Sequence, residues 1–340
     1  MSDTIVLAVD GGNSKTDLAL VRSDGGVLAL VRGPQSSPHY LGVEGCLRVV
    51  EDLLEEALVE AGLSDGRGPA ADVAQLLLAG VDFPVEEEEL QAAAGLHGLA
   101  SRIFVGNDTF AVLRAGTERG WGVAVVCGAG INCVGVAPDG RHARFPALGS
   151  ITGDWGGGSD VGMAALSAAA RSEDGRGPKT SLEQAVPAHF DLETPAAVGE
   201  AIHHGLVSAS RVVELAPIVL AEAGQDAVAA SILSRLTDEI VALVRVALER
   251  LELKDTPVEV LLGGGLTRSG DGRLVAAVEA GLKEVAPTAT VHVTSSPPIV
   301  GAALLGLDEL RAGPEAQRRL RQELGDLAAR IEEGRKEAVS

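Results

Sequence analysis

Aromatic side chains are scarce in this sequence: two Trp, one Tyr and five Phe make up 2% of 340 residues. Aliphatic side chains must therefore fill the cores, and 46% of the residues are hydrophobic, mostly Ala, Val and Leu. Cysteine is equally sparse. Cys46, Cys127 and Cys133 form an odd set without a CxxC pair, which argues against both a disulfide framework and a cysteine zinc site. Positive charge is short as well, with 28 Lys and Arg against 48 Asp and Glu and a net charge of −20. A chain so acidic, with no basic stripe, repels nucleic acid and anionic lipid, so neither is an expected partner. No apolar run approaches the roughly 18 residues that span a bilayer. The first apolar run, "IVLAV", ends at Asp10 and does not resemble a signal peptide. A cytoplasmic protein is the expectation.

The length suffices for two domains, each with its own core. Residues 4–9 and 17–22 read as strands joined by the turn in "AVDGGNSKTD", and 27–31 adds a third strand. Apolar positions from Val43 to Ala61 follow helical spacing, ended by Gly62. A strand near Gln75–Ala79, an acidic helix from about Val85 and a short strand at Arg102–Val105 come next, with Asp108 at the junction to "TFAVLRAG". At Trp121 the pattern restarts. "WGVAVVCGAGINCVGVAPDG" repeats the strand, glycine turn and strand of "TIVLAVDGGNSKTDLALVRSDG", and a duplicated domain explains the pair better than chance. The second half adds a glycine-rich segment (149–162), a helical tract from about Ser208 to Leu251, and the strand "VEVLL" running into Gly263-Gly264-Gly265. The last segment, from about Pro314, reads as a charged, solvated helix.

Three loops and two acids carry the chemistry. In the first hairpin turn, Gly11 and Gly12 offer unobstructed backbone N–H groups, Asn13 and Ser14 further donors, and Lys15 the charge an anion needs. Asp10, ending the first strand, suits a hydrated Mg²⁺. A plain Gly-Gly hairpin with exposed polar residues would leave the same trace. The second turn, Gly128-Ala129-Gly130-Ile131-Asn132, has the same ingredients without the acid, and two such turns could grip a polyphosphate. Gly263–Gly265 would let a base and ribose lie against backbone. Asp108 sits where active-site residues of α/β folds gather, although N-capping is the plainer role. Asp154, in "GSITGDWGGGSDVG", suits a loop closing over a polar ligand; beside it Trp155 either covers a sugar face or anchors the loop. Asp160 is expected to cap the following helix, and Asp17 keeps a structural assignment only.

Taken in order, "VDGGNSKTDLALV", "VGNDTFAVLRAG", "VVCGAGINCVGVAPDG", "GDWGGGSDVG" and "LLGGGL" resemble the ATPase domain shared by actin-like proteins and sugar kinases. More narrowly they resemble the N-acetylglucosamine kinase branch of the BadF/BadG-type ATPases, from about Thr4 to Leu307. The resemblance implies an α/β protein of two ribonuclease-H-like (actin-like ATPase) domains with a central cleft. One would be residues 1–116, completed by a C-terminal helix at about 298–325; the other would be 117–297 with a helical insertion. It implies ATP on Asp10–Lys15, Gly128–Asn132 and Gly263–Gly265, with Mg²⁺ at Asp10. Asp108 would be the catalytic acid-base residue, with Ser37, Asn107, Gly153 and Asp154 among the sugar contacts. In "GPQSSPHYLG" the family typically has Asn at the position of Ser37, and since an amide and a hydroxyl read sugar hydroxyls differently, the exact sugar is left open by the resemblance.

The implied reaction is phosphoryl transfer to the 6-hydroxyl of an amino sugar, N-acetylglucosamine first, with glucosamine or another hexose as the alternative acceptor. Such a transfer needs alignment and charge neutralisation more than a strong base, so an Asp108 of ordinary pKa, about 4, is expected to serve. A non-catalytic sugar- or nucleotide-sensing module would keep the loops and not need Asp108. A homodimer is an expectation by analogy alone.

Overall fold

Val6, Leu7, Ala8 and Val9 are all fully buried, as a strand must be when helices cover both faces of its sheet. The computed structural model describes residues 4–63, 69–268 and 272–339. In chain order the first elements are β1 (Ile5–Gly11), β2 (Thr16–Arg22), β3 (Val27–Gly33), α1 (Pro38–Glu60), β4 (Ala71–Leu78), α2 (Pro84–Leu96), β5 (Ala100–Asn107) and α3 (Thr109–Gly116). Next come β6 (Gly122–Cys127), β7 (Ile131–Val136), β8 (His142–Arg144), α4 (Gly157–Glu173), α5 (Leu182–His189), α6 (Pro195–His203), α7 (Ala216–Glu222), α8 (Ala227–Arg250), β9 (Glu259–Gly263), α9 (Arg273–Val285) and β10 (Thr290–Val293). The chain ends with α10 (Pro298–Glu309) and α11 (Pro314–Val339). It divides into two compact units, Met1–Gly120 with Thr294–Ser340, and Trp121–Val293. No helix among the described residues is long and apolar enough to cross a membrane.

Each unit is built on one five-stranded sheet, in the orders β3-β2-β1-β4-β5 and β10-β9-β6-β7-β8. In both, the glycine hairpin and the next strand run antiparallel, and the remaining two strands add in parallel on the other side. The duplicated hairpin thus extends to a duplicated sheet.

Strand parity sorts the first unit's side chains into two layers. Leu7, Val9, Leu18 and Leu20 pack with Leu47, Val50 and Leu54 of α1. Val6, Ala8, Ala19 and Val21 pack with Ile299, Ala303 and Leu307 of α10 and with Leu320 and Leu324 of α11. The last helix is therefore not the free solvated element expected from its charge. Leu320, Leu324 and Ala328 form a stripe at four-residue spacing with at most 1% exposure. Arg321 ties it further, donating to the carbonyls of Ala115 at 2.6 Å and Thr117 at 2.7 Å at the end of α3. A regular helix begins after Gly42, whose φ of 68° breaks α1 one turn in. The second unit has its own core, in which Val123, Val125 and Cys127 of β6 meet Leu236, Ile240 and Val244 of α8 and Val278 of α9.

Candidate active site

Antiparallel register sets Asp10 opposite Asp17, and Asp17 opposite Arg32. By parity all three lie on the sheet face covered by α10 and α11, at the end where β1 runs into its turn. Arg32 grips Asp17 with two bonds, Nε to Oδ1 at 2.5 Å and Nη2 to Oδ2 at 2.9 Å. Asp17 is 2% exposed and does more than begin a strand. With Asp108 it presses negative charge on Asp10. Burial, then Asp108 and Asp17, push the Asp10 carboxyl up to about 8, against the pull of Lys15 and Arg32. A half-buried acid crowded by two others is a place where a divalent cation relieves repulsion. Among the described residues no group of three or more His, Cys, Asp or Glu could hold a metal ion unaided. Asp10 thus fits an ion that keeps water and phosphate oxygens as its other ligands, as Mg²⁺ does.

The first turn differs from expectation in two ways. The Gly12 N–H does not face an anion; it closes the hairpin on Lys15 O at 2.8 Å, leaving Asn13 and Ser14 exposed at the tip. The Lys15 ammonium is engaged as well, with Glu332 of α11 at 2.8 Å and Asp17 at 3.3 Å. Gly11 has a packing reason to be glycine: a Cβ there would stand 2.3 Å from both Leu78 Cδ2 and Ser36 Oγ.

Asp108 follows β5 at the N-cap position of α3, but its side chain makes no capping hydrogen bond. Asn107 takes that role, its Oδ1 accepting from Thr109 N at 3.0 Å and Thr109 Oγ1 at 2.6 Å. Its Nδ2 donates to Asp82 Oδ1 at 2.9 Å, binding the β5–α3 junction to the loop before α2. Glu86, in the first turn of the acidic helix α2, accepts from the backbone N–H groups of Asp82 and Phe83 and fixes that loop. Asp108 is thereby left half-buried and beside a second acid. Burial first, and the Asp82 charge second, raise its carboxyl to about 6, against the N–H groups of Thr109 and Asp108 itself. The ordinary pKa expected from sequence does not hold, because neither burial nor Asp82 is visible in a local motif. Ser37 also departs from its expected place. It is fully buried at the start of α1, and its Oγ has no hydrogen-bond partner. That hydroxyl faces Gly80, where a Cβ would approach it to 2.8 Å.

In the second unit the expected loops meet around the end of β6. Gly128 N closes the turn on Gly130 O at 3.0 Å. The carbonyls of Gly128 and Ala129 accept from Gly158 N at 2.8 Å and Ser159 N at 2.9 Å, so the start of α4 is seated on the turn. Gly157 must be glycine for that approach, having a φ of 71° and only 2.2 Å between a built Cβ and Gly130 O. The third loop joins the same point: a Cβ on Gly264 would lie 2.2 Å from Cys127 O, whereas Gly265 borders open space. Asn132 Oδ1 accepts from Cys133 N at 2.7 Å. Asp154, after Gly153, accepts from Thr152 Oγ1. Trp155 packs against the unit's core under Arg235, whose guanidinium carbon is 4.0 Å from the ring centroid. Asp160 closes the first turn of α4 by accepting from Gly156 N at 3.0 Å. The three cysteines are buried, and burial pushes the Cys46 and Cys127 thiols up to about 12, away from thiolate chemistry.

Sequence reasoning missed Asp82, Arg32 and Glu332. Arg32 and Asp17 share the face of Asp10 by strand parity, a signal present in the sequence once the hairpin register is drawn. Asp82 and Glu332 have no local signal.

The chain is similar to several known proteins. An N-acetylmuramic acid/N-acetylglucosamine kinase of Clostridium acetobutylicum is 30% identical over 262 residues, covering 77% of this chain and 85% of that protein. An N-acetyl-D-glucosamine kinase of Dictyostelium discoideum is 26% identical over 319 residues, 91% of this chain and 99% of its own. Among solved structures, a candidate N-acetylglucosamine kinase from Chromobacterium violaceum superposes with a TM-score of 0.70 at 25% identity, covering 90% of this chain and all of that one. A ROK family glucokinase from Streptomyces griseus shares the fold at a TM-score of 0.50 and 16% identity, over 91% of this chain and all of its own. The model of the BadF/BadG/BcrA/BcrD ATPase family matches residues 7–306, and the chain belongs to that family.

Proposed function

We propose that the protein is an ATP-dependent amino-sugar kinase that phosphorylates N-acetylglucosamine at its 6-hydroxyl. The observation that carries the reading is Asp108: a half-buried carboxyl at a strand-to-helix junction, relieved of capping by Asn107 and raised to about 6. An acid released from its structural task and tuned toward neutrality is what a general base requires. The curated relatives, both named as kinases of N-acetylated sugars, supply the substrate class.

Asp108 accepts the proton of the attacking hydroxyl while the sugar oxygen bonds to the γ-phosphorus. The bond from that phosphorus to the β–γ bridging oxygen breaks, and ADP leaves. Asn107, bonded to Thr109 and Asp82, fixes the β5–α3 junction that carries Asp108. Asn13, Ser14 and Lys15 of the first turn and the Gly128–Asn132 turn bind phosphate oxygens, Gly263–Gly265 borders the adenosine, and Gly153 and Asp154 take sugar hydroxyls. Asp10 would hold Mg²⁺, which when bound neutralises phosphate charge.

The test is a panel of N-acetylglucosamine, N-acetylmuramic acid, N-acetylmannosamine, glucosamine and glucose with Mg²⁺ and ATP, the products read by ³¹P NMR. N-acetylglucosamine should give the 6-phosphate, with N-acetylmuramic acid the second acceptor, since the Clostridium relative is named for both. Asp108→Asn should lower kcat by roughly 10²–10⁴-fold with nucleotide binding retained. No phosphosugar from any acceptor, or normal turnover by Asp108→Asn, would remove the assignment.

A further inference from the structure

The sheet face that carries Asp10, Asp17 and Arg32 is covered by α11, and α11 brings a carboxylate to the lysine of the first turn. Glu332 Oε1 accepts from Lys15 Nζ at 2.8 Å and from Arg32 Nη1 at 3.0 Å. Arg32 does not depend on this contact, because its Nε and Nη2 are already on Asp17. Lys15 does: Glu332 is nearer to it than Asp17, which lies at 3.3 Å. The helix beneath is no loose tail, being anchored by Leu320, Leu324 and Ala328. The Glu332 side chain itself is 48% exposed and borders solvent. A carboxylate on a fixed helix thus occupies the cation that the first turn offers to phosphate.

We propose that Glu332 is a built-in competitor for the phosphate site, holding Lys15 while the turn is empty and yielding it when a polyphosphate arrives. The proposal rests on the reading of that turn as an ATP phosphate loop. Its strength follows from exposure. Half-exposed ion pairs contribute about 0.2–1 kcal/mol, which converts to about 1.5- to 5-fold in affinity. The contact therefore tunes nucleotide affinity and does not switch it off. The Asp17 contact remains when Glu332 lets go, so Lys15 stays positioned over the turn.

The experiment measures AMPPNP binding with Mg²⁺ by calorimetry on the full chain. Glu332→Gln, which keeps the shape and removes the charge, should tighten Kd about threefold. Glu332→Asp, which keeps the charge on a shorter arm, should fall between it and wild type. In a Lys15→Met background the Glu332→Gln effect should vanish, because the competition has lost its object. Amides of residues 326–334 should exchange hydrogen faster once AMPPNP is bound. An unchanged or weakened Kd in Glu332→Gln, at an unaltered melting temperature, overturns the competitor while leaving the kinase reading intact. So does an equal gain in the Lys15→Met background. If neither wild type nor Glu332→Gln binds AMPPNP or ATP, the nucleotide reading fails and the competitor fails with it.

Discussion

At the scale of single residues, Asp108 owes its properties to neighbours rather than to its own motif. The segment "GNDTF" shows an acid before a helix, and capping is its plainest meaning; only the Asn107 bonds show that the capping is done elsewhere. The candidate acid was thus legible, and its tuning was not, because Asp82 reaches it across a loop closure 26 residues back in the chain. The pH dependence follows from the sign of the shift. A carboxyl raised from 3.8 to about 6 is protonated, and useless as a base, below pH 6. Measured as kcat at saturating Mg²⁺ and ATP, where the bound cation keeps Asp10 ionised, the rate should fall about tenfold per pH unit below 6 and level off above 7. Replacing Asp82 with Asn removes the like charge and should move that acid limb to lower pH. It should not restore 3.8, since burial is the larger cause. A pH–rate series on both proteins decides this. A wild-type limb near pH 4, or an unmoved limb in Asp82→Asn, would show that Asp108 is not the group titrating.

At the scale of elements, the C-terminal helix expected from about 298 begins as α10, whose apolar run "PIVGAALLGL" is buried along most of its length. What it packs against was not legible, since no pattern names a partner. The contact is set by glycine: a Cβ at Gly301 would stand 1.9 Å from Ala111 O and 2.8 Å from Ala115 N, both backbone atoms of α3 that cannot turn aside. The α11 stripe was legible at Leu320, Leu324 and Ala328, but the charges around it drew the reading toward a solvated helix. Gly301→Ala must therefore part α10 from α3 and disturb the sheet end that carries Asp10, costing about 1–3 kcal/mol or more. Gly325→Ala, in α11 with nothing within 4 Å of a built Cβ, should instead stabilise by about 0.5–1 kcal/mol through helix propensity. Denaturant titrations of the two variants should shift in opposite directions. A Gly301→Ala protein as stable as wild type would mean that the α3–α10 approach is looser than this packing.

At the scale of the whole molecule, the duplicated glycine hairpins announced two similar halves, and both sheets repeat one strand order. Hairpins are local and survive in the sequence as pattern. Strand order and long-range pairs do not, as Lys15 and Glu332 show at a separation of 317 residues. The repeat also has an energetic meaning. The chain passes between the units only twice, near residues 120 and 294, and each unit closes its own hydrophobic cores. Stability should then be stored separately, with each unit opening as its own cooperative block. Leu236 is fully buried in the core of the second unit, against β6 and α9. Leu236→Ala leaves a cavity there and should cost that unit about 2–5 kcal/mol. Hydrogen exchange read peptide by peptide should accelerate through β6, β7, β9 and α8, while β1, β2 and β4 keep their wild-type protection. Equal loss of protection in both units would mean that they unfold as one block, and the separate cores would then not be separate reservoirs of stability.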